Sequence, residues 1–304
     1  MSVSQRLHAE SRALPQPGAV LELFKPITWF PPMWAFLCGA ISSGVSPGDR
    51  WPIVLLGVAV AGPLVCATSQ AVNDWFDRSV DAINEPDRPI PSGRIPGRWG
   101  LYLAVIWTGV SAGAGWFLGT WGFAATLVAL LFAWAYSAPP LRLKQNGWYG
   151  NLAVGISYEG IAWFTGAAVL LGGMFPGWPI VTMALLYSLG AHGIMTLNDY
   201  KAIEGDRQMG IRSLPAALGP DRAAQVATTA MVGAQVVVIG LLVMWGLGPW
   251  AAGVGLLLAV QLPMLARFLR APRERALWYS ALGVPLYVAG MMVTAFGLRA
   301  GGLQ

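Results

Sequence analysis

The stretch WGLYLAVIWTGVSAGAGWFLGTWGFAATLVALLFAWAYSAPPL, Trp99 to Leu141, holds 43 consecutive residues without a charged side chain. A helix needs about 20 apolar residues to cross the hydrocarbon core of a bilayer. The stretch is therefore long enough for two crossings, and the glycines of LGTWG at 118–122 favour a turn between them. The pattern predicts two membrane-spanning helices joined by a short loop.

Uncharged runs of similar length occur throughout the chain. Three runs of 23 residues follow Lys25, Arg50 and Arg275, and one of 44 residues follows Arg222. The region 146–197 carries a single charged side chain, Glu159. Because the runs are continuous and do not alternate, they favour helices over a β-barrel. We predict an all-α integral membrane protein with nine transmembrane helices around a central cavity, at 26–46, 52–75, 99–118, 121–138, 149–171, 179–200, 223–245, 249–267 and 276–298.

The distribution of basic residues predicts the orientation. If the N-terminus is cytoplasmic, 17 of the 19 Lys and Arg fall on the cytoplasmic side, as the positive-inside rule requires. Residues 1–20 are expected to form a flexible cytoplasmic tail and residues 21–304 a single transmembrane domain. The net charge of +5 follows from this topology, so no nucleic-acid partner is expected. Cys38 and Cys66 both fall inside predicted spans, which gives no indication of redox chemistry.

The first charged motif, NDWFDRSVDAINEPDRPIPSGR at 73–94, follows the second predicted span and contains four Asp, one Glu and three Arg. On a helix, Asn73, Asp77 and Asp81 are four residues apart and form one stripe. Oxygen ligands suit Mg2+, which binds a few carboxylates and completes its shell with water and phosphate oxygens. The stripe is therefore a candidate magnesium site.

The second charged motif, NDYKAIEGDRQMG at 198–210, repeats the Asn-Asp-aromatic opening of the first. Asp199 and Asp206 are seven residues apart and share a helix face, and Glu204, about 140° from Asp199, is a further candidate ligand. The alternative is a pair of solvated loops whose acids balance nearby arginines. Carboxylates at the ends of spanning helices are costly unless paired, which favours two walls of one metal–polyphosphate site.

Basic residues accompany both motifs on the predicted cytoplasmic side. Each could be a simple positive-inside anchor. Together they suit the oxygens of a magnesium-bound diphosphate, and a membrane location suggests a prenyl diphosphate whose tail dissolves among the helices. The candidate diphosphate-binding residues are Lys25, Arg88, Arg94, Lys144, Lys201 and Arg207. Tyr136, Trp134 and Trp163 are candidates to stabilise an allylic carbocation through their aromatic faces, with interfacial anchoring as the alternative.

The two motifs together resemble the paired aspartate motifs of the UbiA-type intramembrane prenyltransferase superfamily, which implies nine transmembrane helices, Mg2+ and the catalytic set Asn73, Asp77, Asp81, Asp199, Asp206 and Tyr136. The stretches AINEPDRPIPSGRIPGRWG (82–100), YSAPPLRLKQNGWYGN (136–151) and NDYKAIEGDRQMGIRSLPAALG (198–219) are similar to the chlorophyll and bacteriochlorophyll synthase branch. Many relatives carry an Asp at the position of Ala202, for which Asp199 is the natural substitute.

This resemblance implies esterification of the propionate of (bacterio)chlorophyllide with a geranylgeranyl or phytyl group from its diphosphate, in a bacterial inner or intracytoplasmic photosynthetic membrane. Two alternatives stay open. The first is another intramembrane prenyltransferase, which would act on haem b, homogentisate or a quinone precursor at the same diphosphate site. The second is a transporter with charged cytoplasmic loops. Three smaller features are also noted. Glu159 is an intramembrane acid that faces either the cavity or a polar partner on another helix. His192 is a candidate chlorin ligand or packing residue, and the pairs Gly109/Gly113 and Gly115/Gly119 predict close helix packing.

Overall fold

The computed structural model describes residues 14–303, which form an all-α protein, so the predicted fold class is confirmed. Within this range the only β-type pairing is an isolated bridge between Asn146 and Arg212. The helices are α1 (Pro17–Leu23), α2 (Phe30–Ser42), α3 (Trp51–Ala59, Val60–Cys66 and Ala67–Asn84 in succession), α4 (Trp99–Trp116), α5 (Gly119–Ser137), α6 (Gly147–Gly155, Ile156–Ile161 and Ala162–Leu170 in succession), α7 (Trp178–Asp199), α8 (Ile203–Gln208), α9 (Leu214–Leu218), α10 (Pro220–Met244), α11 (Gly248–Leu269) and α12 (Pro272–Ala300).

Seven of these helices are long and apolar enough to cross a bilayer: α3, α5, α6, α7, α10, α11 and α12. The other two predicted spans correspond to α2, with 13 residues, and α4, with 18. The chain is therefore a multi-pass membrane protein, and the number of nine crossings stays a prediction.

The first charged motif is helical for most of its length, because α3 continues past the predicted end at 75 to Asn84. Pro63 lies in the middle of α3 and has no backbone N–H to donate, and the helix widens there into a π turn at Val60–Cys66. A second π turn, Ile156–Ile161, interrupts α6 around Glu159. Both π turns lie in the middle of their spans.

The closest helix contact joins α2 to α6. A Cβ added to Gly39 would lie 1.8 Å from the Trp163 carbonyl oxygen, and one added to Gly166 would lie 1.9 Å from the Phe36 carbonyl oxygen. Glycine at both positions lets the two backbones touch. The prediction of close packing is wrong at Gly109 and Gly113, because a Cβ at either would meet nothing within 4 Å. It is confirmed at Gly115 and Gly119, where a Cβ would lie 2.7 Å from Thr126 Cγ2 and 2.8 Å from Gly173 Cα.

The loops 85–98, 138–146, 200–219 and 270–271 lie together at one end of the bundle, here called the motif end. Gly147 N donates to Arg212 O at 2.9 Å, which joins the end of loop 138–146 to the region 200–219. Arg273 Nη1 donates to Glu204 at 3.2 Å, which joins the start of α12 to the same region. Of the predicted N-terminal tail, residues 1–13 lie outside the described part. Residues 17–23 form α1, which buries Ala19 and Leu23.

Candidate active site

Asn73 and Asp77 project from α3 towards α5 and the loop before α6. Asn73 Nδ2 donates to Ser137 Oγ at 3.1 Å. Lys144 Nζ lies 2.5 Å from both carboxylate oxygens of Asp77, and Arg142 Nη2 lies 3.5 Å from one of them. The middle of the first motif is thus held against the loop 138–146.

Arg88 connects two further aspartates of the same helix. Its Nη1 lies 3.0 Å from Asp81 Oδ2 and 3.7 Å from Asp74 Oδ1, while Lys25 Nζ lies 2.6 Å from the same oxygen of Asp74. Asp74 is only 2% exposed, and its Oδ2 has no hydrogen-bond partner in residues 14–303. A buried carboxylate oxygen without a donor is costly unless something else contacts it.

The sequence interpretation missed Asp74, although a signal for it exists. Asp74 and Asp81 are seven residues apart on the unbroken α3, so they share a face. The same spacing was used to predict one helix face for Asp199 and Asp206, but α7 ends at Asp199 and Asp206 lies on α8. The predicted stripe begins at Asn73, and Asp74 lies about 100° away from Asn73 around the axis of the same helix.

The aspartates of the second motif are bound by neutral groups. Asp199 accepts from Asn151 Nδ2 at 3.1 Å, and Asp206, 8% exposed, accepts from Ser213 Oγ. Neither has a cation within salt-bridge distance in the described part of the chain. Their negative charge is therefore available to a cation from outside the chain.

The two motifs converge at the motif end. Arg212 N, just beyond the second motif, donates to Gln145 O at 3.0 Å, in the loop whose Lys144 binds Asp77. Asn84, at the end of α3, contacts Met209 Sδ at 3.6 Å. Tyr136, at the end of α5, precedes Ser137, whose hydroxyl accepts the hydrogen bond from Asn73 of the first motif.

Other predicted site residues lie at the exposed rim. Arg94 binds both carboxylate oxygens of Glu22 and the carbonyl of Asp87. Glu204, with a side chain 66% exposed, pairs with Arg207 and Arg273. Lys201 is exposed. These side chains surround the two aspartate groups without contacting them.

Burial and pairing shift the pKa values of two groups outside the spans. Burial lowers the pKa of Lys144, and the adjacent Asp77 carboxylate opposes that shift. The hydrogen bond from Arg94 lowers the pKa of Glu22. Lys144 thus belongs to the buried part of the site, whereas Glu22 and Arg94 form a surface pair.

A narrow apolar cavity begins beneath Tyr136 and extends into the bundle. Its upper part is lined by Tyr136, Tyr158 and small residues such as Ala133, and its lower part ends at Thr126 and Thr165. The two parts share five lining residues. This continuous space is called the tail cavity below.

Of the three aromatic candidates, only Tyr136 lines the tail cavity. Trp163 is fully buried and donates its Nε1 to Ser42 Oγ at 3.0 Å. Trp134 donates to Thr108 Oγ1 at 3.0 Å and packs edge-on against Phe76. Both tryptophans have packing contacts that account for their positions.

The donor set fits a magnesium ion that is shared with a substrate. No group of three or more His, Cys, Asp or Glu side chains close enough to hold a metal occurs among residues 14–303. The available donors are carboxylates: the free oxygen of Asp74 and the cation-free pair Asp199 and Asp206. Mg2+ commonly takes one or two carboxylates and completes its shell with water and phosphate oxygens.

Comparison with known proteins identifies the class. The sequence profile of the UbiA prenyltransferase family matches residues 28–296. The chain is 59% identical to the bacteriochlorophyll synthase 33 kDa chain of Cereibacter sphaeroides over 98% of both chains, and 38% identical to the chloroplastic chlorophyll synthase of Oryza sativa, over 90% of this chain and 75% of that one. A UbiA homologue from Archaeoglobus fulgidus solved with GPP and Mg2+ shares the fold, with a TM-score of 0.63 at 18% identity over 93% of this chain and 98% of that one.

The chain therefore belongs to the UbiA prenyltransferase family. It is a multi-pass membrane enzyme that transfers prenyl groups, and its sequence lies within the part of the family that serves chlorophyll and bacteriochlorophyll biosynthesis. The resemblance on the aspartate motifs is confirmed, and the transporter alternative is not supported.

Proposed function

We propose that the enzyme esterifies the propionate of bacteriochlorophyllide with a geranylgeranyl or phytyl group taken from its diphosphate. The observation that carries the proposal is the near-full-length similarity to a bacteriochlorophyll synthase chain. Similarity to the plant chlorophyll synthase is lower, which favours the bacterial pigment as acceptor. Such a reaction needs a polar site for the diphosphate and an apolar space for the prenyl chain. The two motifs are the candidate for the first and the tail cavity for the second.

The diphosphate head binds where the cations face the first motif. Lys25, Arg88 and Lys144 contact the aspartates of α3 and can form charge-assisted hydrogen bonds with phosphate oxygens. Arg94, Lys201 and Arg207 extend the positive charge to the rim. Carboxylates from both motifs, together with these cations, suit a diphosphate that carries divalent metal.

Magnesium is the cofactor of this proposal, and oxygen donors from both motifs would hold it. Asp74 Oδ2, Asp199 and Asp206 have no cation partner in the described chain and would be its first donors. Asn73, Asp77 and Asp81 would add donors from the first motif once the diphosphate draws Lys144 and Arg88 away, and Glu204 lies at the rim. Magnesium bound there supplies positive charge that neutralises the departing diphosphate. The chain's own Lys and Arg side chains act in the same direction.

The prenyl tail occupies the tail cavity, and Tyr136 lies where the tail meets the head. The allylic C–O bond to the diphosphate breaks, and a propionate oxygen forms the new ester bond as diphosphate leaves. The aromatic face of Tyr136 stabilises positive charge on the allylic carbon. A propionate is already ionised near neutral pH, so its attack needs no catalytic base.

The motif end faces the cytoplasm in this proposal. All loops at this end carry basic residues, and Arg50 and Arg299 at the opposite end are the exceptions. The location is a bacterial cytoplasmic or intracytoplasmic membrane. Labelling of single engineered cysteines at Ser92 and Ser46 in sealed vesicles of known orientation would test it, since only Ser92 should react from the cytoplasmic side.

The function is tested with the full chain in lipid vesicles, given geranylgeranyl diphosphate and one acceptor at a time. Esterified bacteriochlorophyllide should form with Mg2+, disappear after chelation by EDTA and return when Mg2+ is restored. Homogentisate serves as the alternative acceptor. Product from homogentisate alone would replace this proposal by an aromatic prenyltransferase with the same diphosphate site.

A further inference from the structure

A second cavity, separate from the tail cavity, lies between α2, α6 and α12. Its volume is about 410 Å3, within the range of about 300–1,000 Å3 common for small-molecule sites. Phe30 and Trp34 line it from α2, and Val284 and Val288 line it from α12. We call this space the side cavity. Its size and apolar wall suit a bulky lipid-soluble molecule.

Two polar side chains line the side cavity. Ser280 Oγ is buried without a hydrogen-bond partner in residues 14–303. Glu159, at the centre of α6, has no cation within salt-bridge distance among the same residues. An unpaired polar group at this depth is costly. Two of them in one apolar cavity indicate a ligand with its own polar atoms.

The side cavity and the tail cavity share a wall. Pro31 lines the side cavity and Pro32 the tail cavity, and likewise Glu159 lines the side cavity and Tyr158 the tail cavity. Tyr158 and Glu159 both belong to the π turn Ile156–Ile161. A molecule in the side cavity is therefore next to a prenyl chain in the tail cavity, across one layer of side chains.

We propose that the side cavity binds the tetrapyrrole ring of the acceptor, with Ser280 and Glu159 hydrogen-bonding the ring's carbonyl-type substituents; this rests on the proposed function. In that function the prenyl chain takes the tail cavity, so the ring needs a separate space, and the side cavity adjoins it. A tetrapyrrole is flat, mostly apolar and carries a few carbonyl groups at its edge. A lipid acyl chain at the depth of Glu159 has no polar atom to satisfy either side chain.

The aromatic residues on α2 agree with a flat ligand. The rings of Phe30 and Trp34 are stacked, with centroids 5.7 Å apart and planes 27° apart. Trp34 Nε1 donates to Val288 O at 3.0 Å, which fixes its ring against α12. Ring faces held in this way favour stacking with another planar π system.

The test is steady-state kinetics of the full chain in vesicles, with bacteriochlorophyllide and geranylgeranyl diphosphate varied separately. Ser280→Ala and Glu159→Leu should each raise the KM for bacteriochlorophyllide about tenfold, as loss of one buried hydrogen bond does. The KM for geranylgeranyl diphosphate should stay within about twofold. Glu159→Gln keeps hydrogen-bonding atoms and should restore most of the acceptor affinity.

Thr228→Val is the matched control, because Thr228 Oγ1 is also a buried hydroxyl without a partner but does not line the side cavity. It should leave both KM values unchanged. Resonance Raman spectra of bound bacteriochlorophyllide give an independent readout, since Ser280→Ala should raise the stretching frequency of one ring carbonyl.

The outcomes separate the inference from the function on which it rests. If the wild-type enzyme esterifies bacteriochlorophyllide but Ser280→Ala and Glu159→Leu leave its KM unchanged, the side cavity does not bind the ring. Equal rises in both KM values would also overturn the inference, because they indicate a general packing defect. If the wild-type enzyme esterifies no tetrapyrrole, the proposed function fails and the inference fails with it.

Discussion

Lys144 Nζ donates hydrogen bonds to both carboxylate oxygens of Asp77, at 2.5 Å each, across 67 positions of sequence. The lysine side chain is only 8% exposed, so this is a buried ion pair. The loop that carries Lys144 also pairs with Arg212 beyond the second motif. The pair therefore joins the first motif to the segment that reaches the second.

Replacement of Lys144 by Met should severely weaken prenyl diphosphate binding. The substitution removes a cation from the site and leaves the partly buried Asp77 carboxylate with only the more distant Arg142. Loss of one charge-assisted hydrogen bond costs about 1.5–3 kcal/mol, or a rise in Kd of about 10- to 100-fold. The measurement is equilibrium binding of geranylgeranyl diphosphate to purified enzyme in detergent.

Lys144→Arg retains the charge and should recover part of the affinity. Arg98 is an exposed cation at the same end of the bundle, and Arg98→Gln removes one charge without touching either motif. A loss of binding in Arg98→Gln as large as in Lys144→Met would mean that only the overall charge matters.

Arg88→Ala should weaken diphosphate binding while leaving bacteriochlorophyllide binding nearly unchanged. Arg88 bridges Asp74 and Asp81, so its loss takes a cation away from two mostly buried carboxylates and leaves Asp74 with Lys25 alone. We expect the Kd for geranylgeranyl diphosphate to rise about tenfold or more. Fluorescence of bound bacteriochlorophyllide measures the second affinity on the same sample.

Arg78 provides the comparison for Arg88, because it lies ten residues earlier, on α3, but is exposed, and its guanidinium stacks over Trp75 at 4.1 Å. Arg78→Ala should therefore leave both affinities near the wild-type values. Equal losses of the two ligands in Arg88→Ala would contradict the assignment of Arg88 to the diphosphate part of the site.

The sequence predicted the helical class and the stripe of the first motif because both depend on local patterns. Charge-free runs fix the spans, and the spacing of Asn73, Asp77 and Asp81 fixes a helix face. Asp74 was overlooked because its importance comes from Lys25 and Arg88, which approach it from other parts of the chain. Such partners are set by tertiary packing and leave no local signature.

Contacts between distant helices were equally invisible in the sequence. The spacing of Gly109 and Gly113 resembles a packing motif, yet neither glycine touches another helix. The backbones of α2 and α6 meet instead at Gly39 and Gly166, which no such spacing marks. The side cavity has the same origin, since α2, α6 and α12 come from the beginning, middle and end of the chain. No sequence pattern within one segment predicts contacts among three helices that are so far apart in the chain.

The Glu22–Arg94 pair should fix α1 to the loop 85–98. Arg94 binds both oxygens of Glu22, and Gln16 N donates to Arg94 O at 3.2 Å. Glu22→Ala and Arg94→Ala should therefore cause similar, non-additive losses of diphosphate binding, because each releases α1 and the adjacent Lys25. A much larger loss in Arg94→Ala would instead make Arg94 a direct phosphate ligand, as the sequence suggested.

The same pair predicts a pH dependence. Arg94 lowers the pKa of Glu22 in the folded protein, so the stabilisation by the pair is present above the unfolded pKa of about 4.3 and is lost as pH falls through the lower folded value. The distribution of distances between spin labels at the exposed positions Leu21 and Asp87 should stay narrow down to about pH 4.3 and broaden only below that pH. In Glu22→Gln the broad distribution should already be present at neutral pH.

Gly166→Ala should destabilise the protein strongly, because its Cβ would lie 1.9 Å from the Phe36 carbonyl oxygen. That oxygen belongs to the backbone of α2 and cannot move aside as a flexible side chain would, so α2 and α6 must separate. Overpacking of this kind costs about 1–3 kcal/mol or more, which corresponds to a fall in Tm of several degrees.

Gly109→Ala is the matched substitution on a helix surface with nothing within 4 Å, and the higher helix propensity of alanine should leave its Tm equal or slightly raised. Thermal unfolding of both variants in the same detergent measures the difference. A Tm for Gly166→Ala equal to that of Gly109→Ala would mean that α2 and α6 do not approach as closely as the two glycines require.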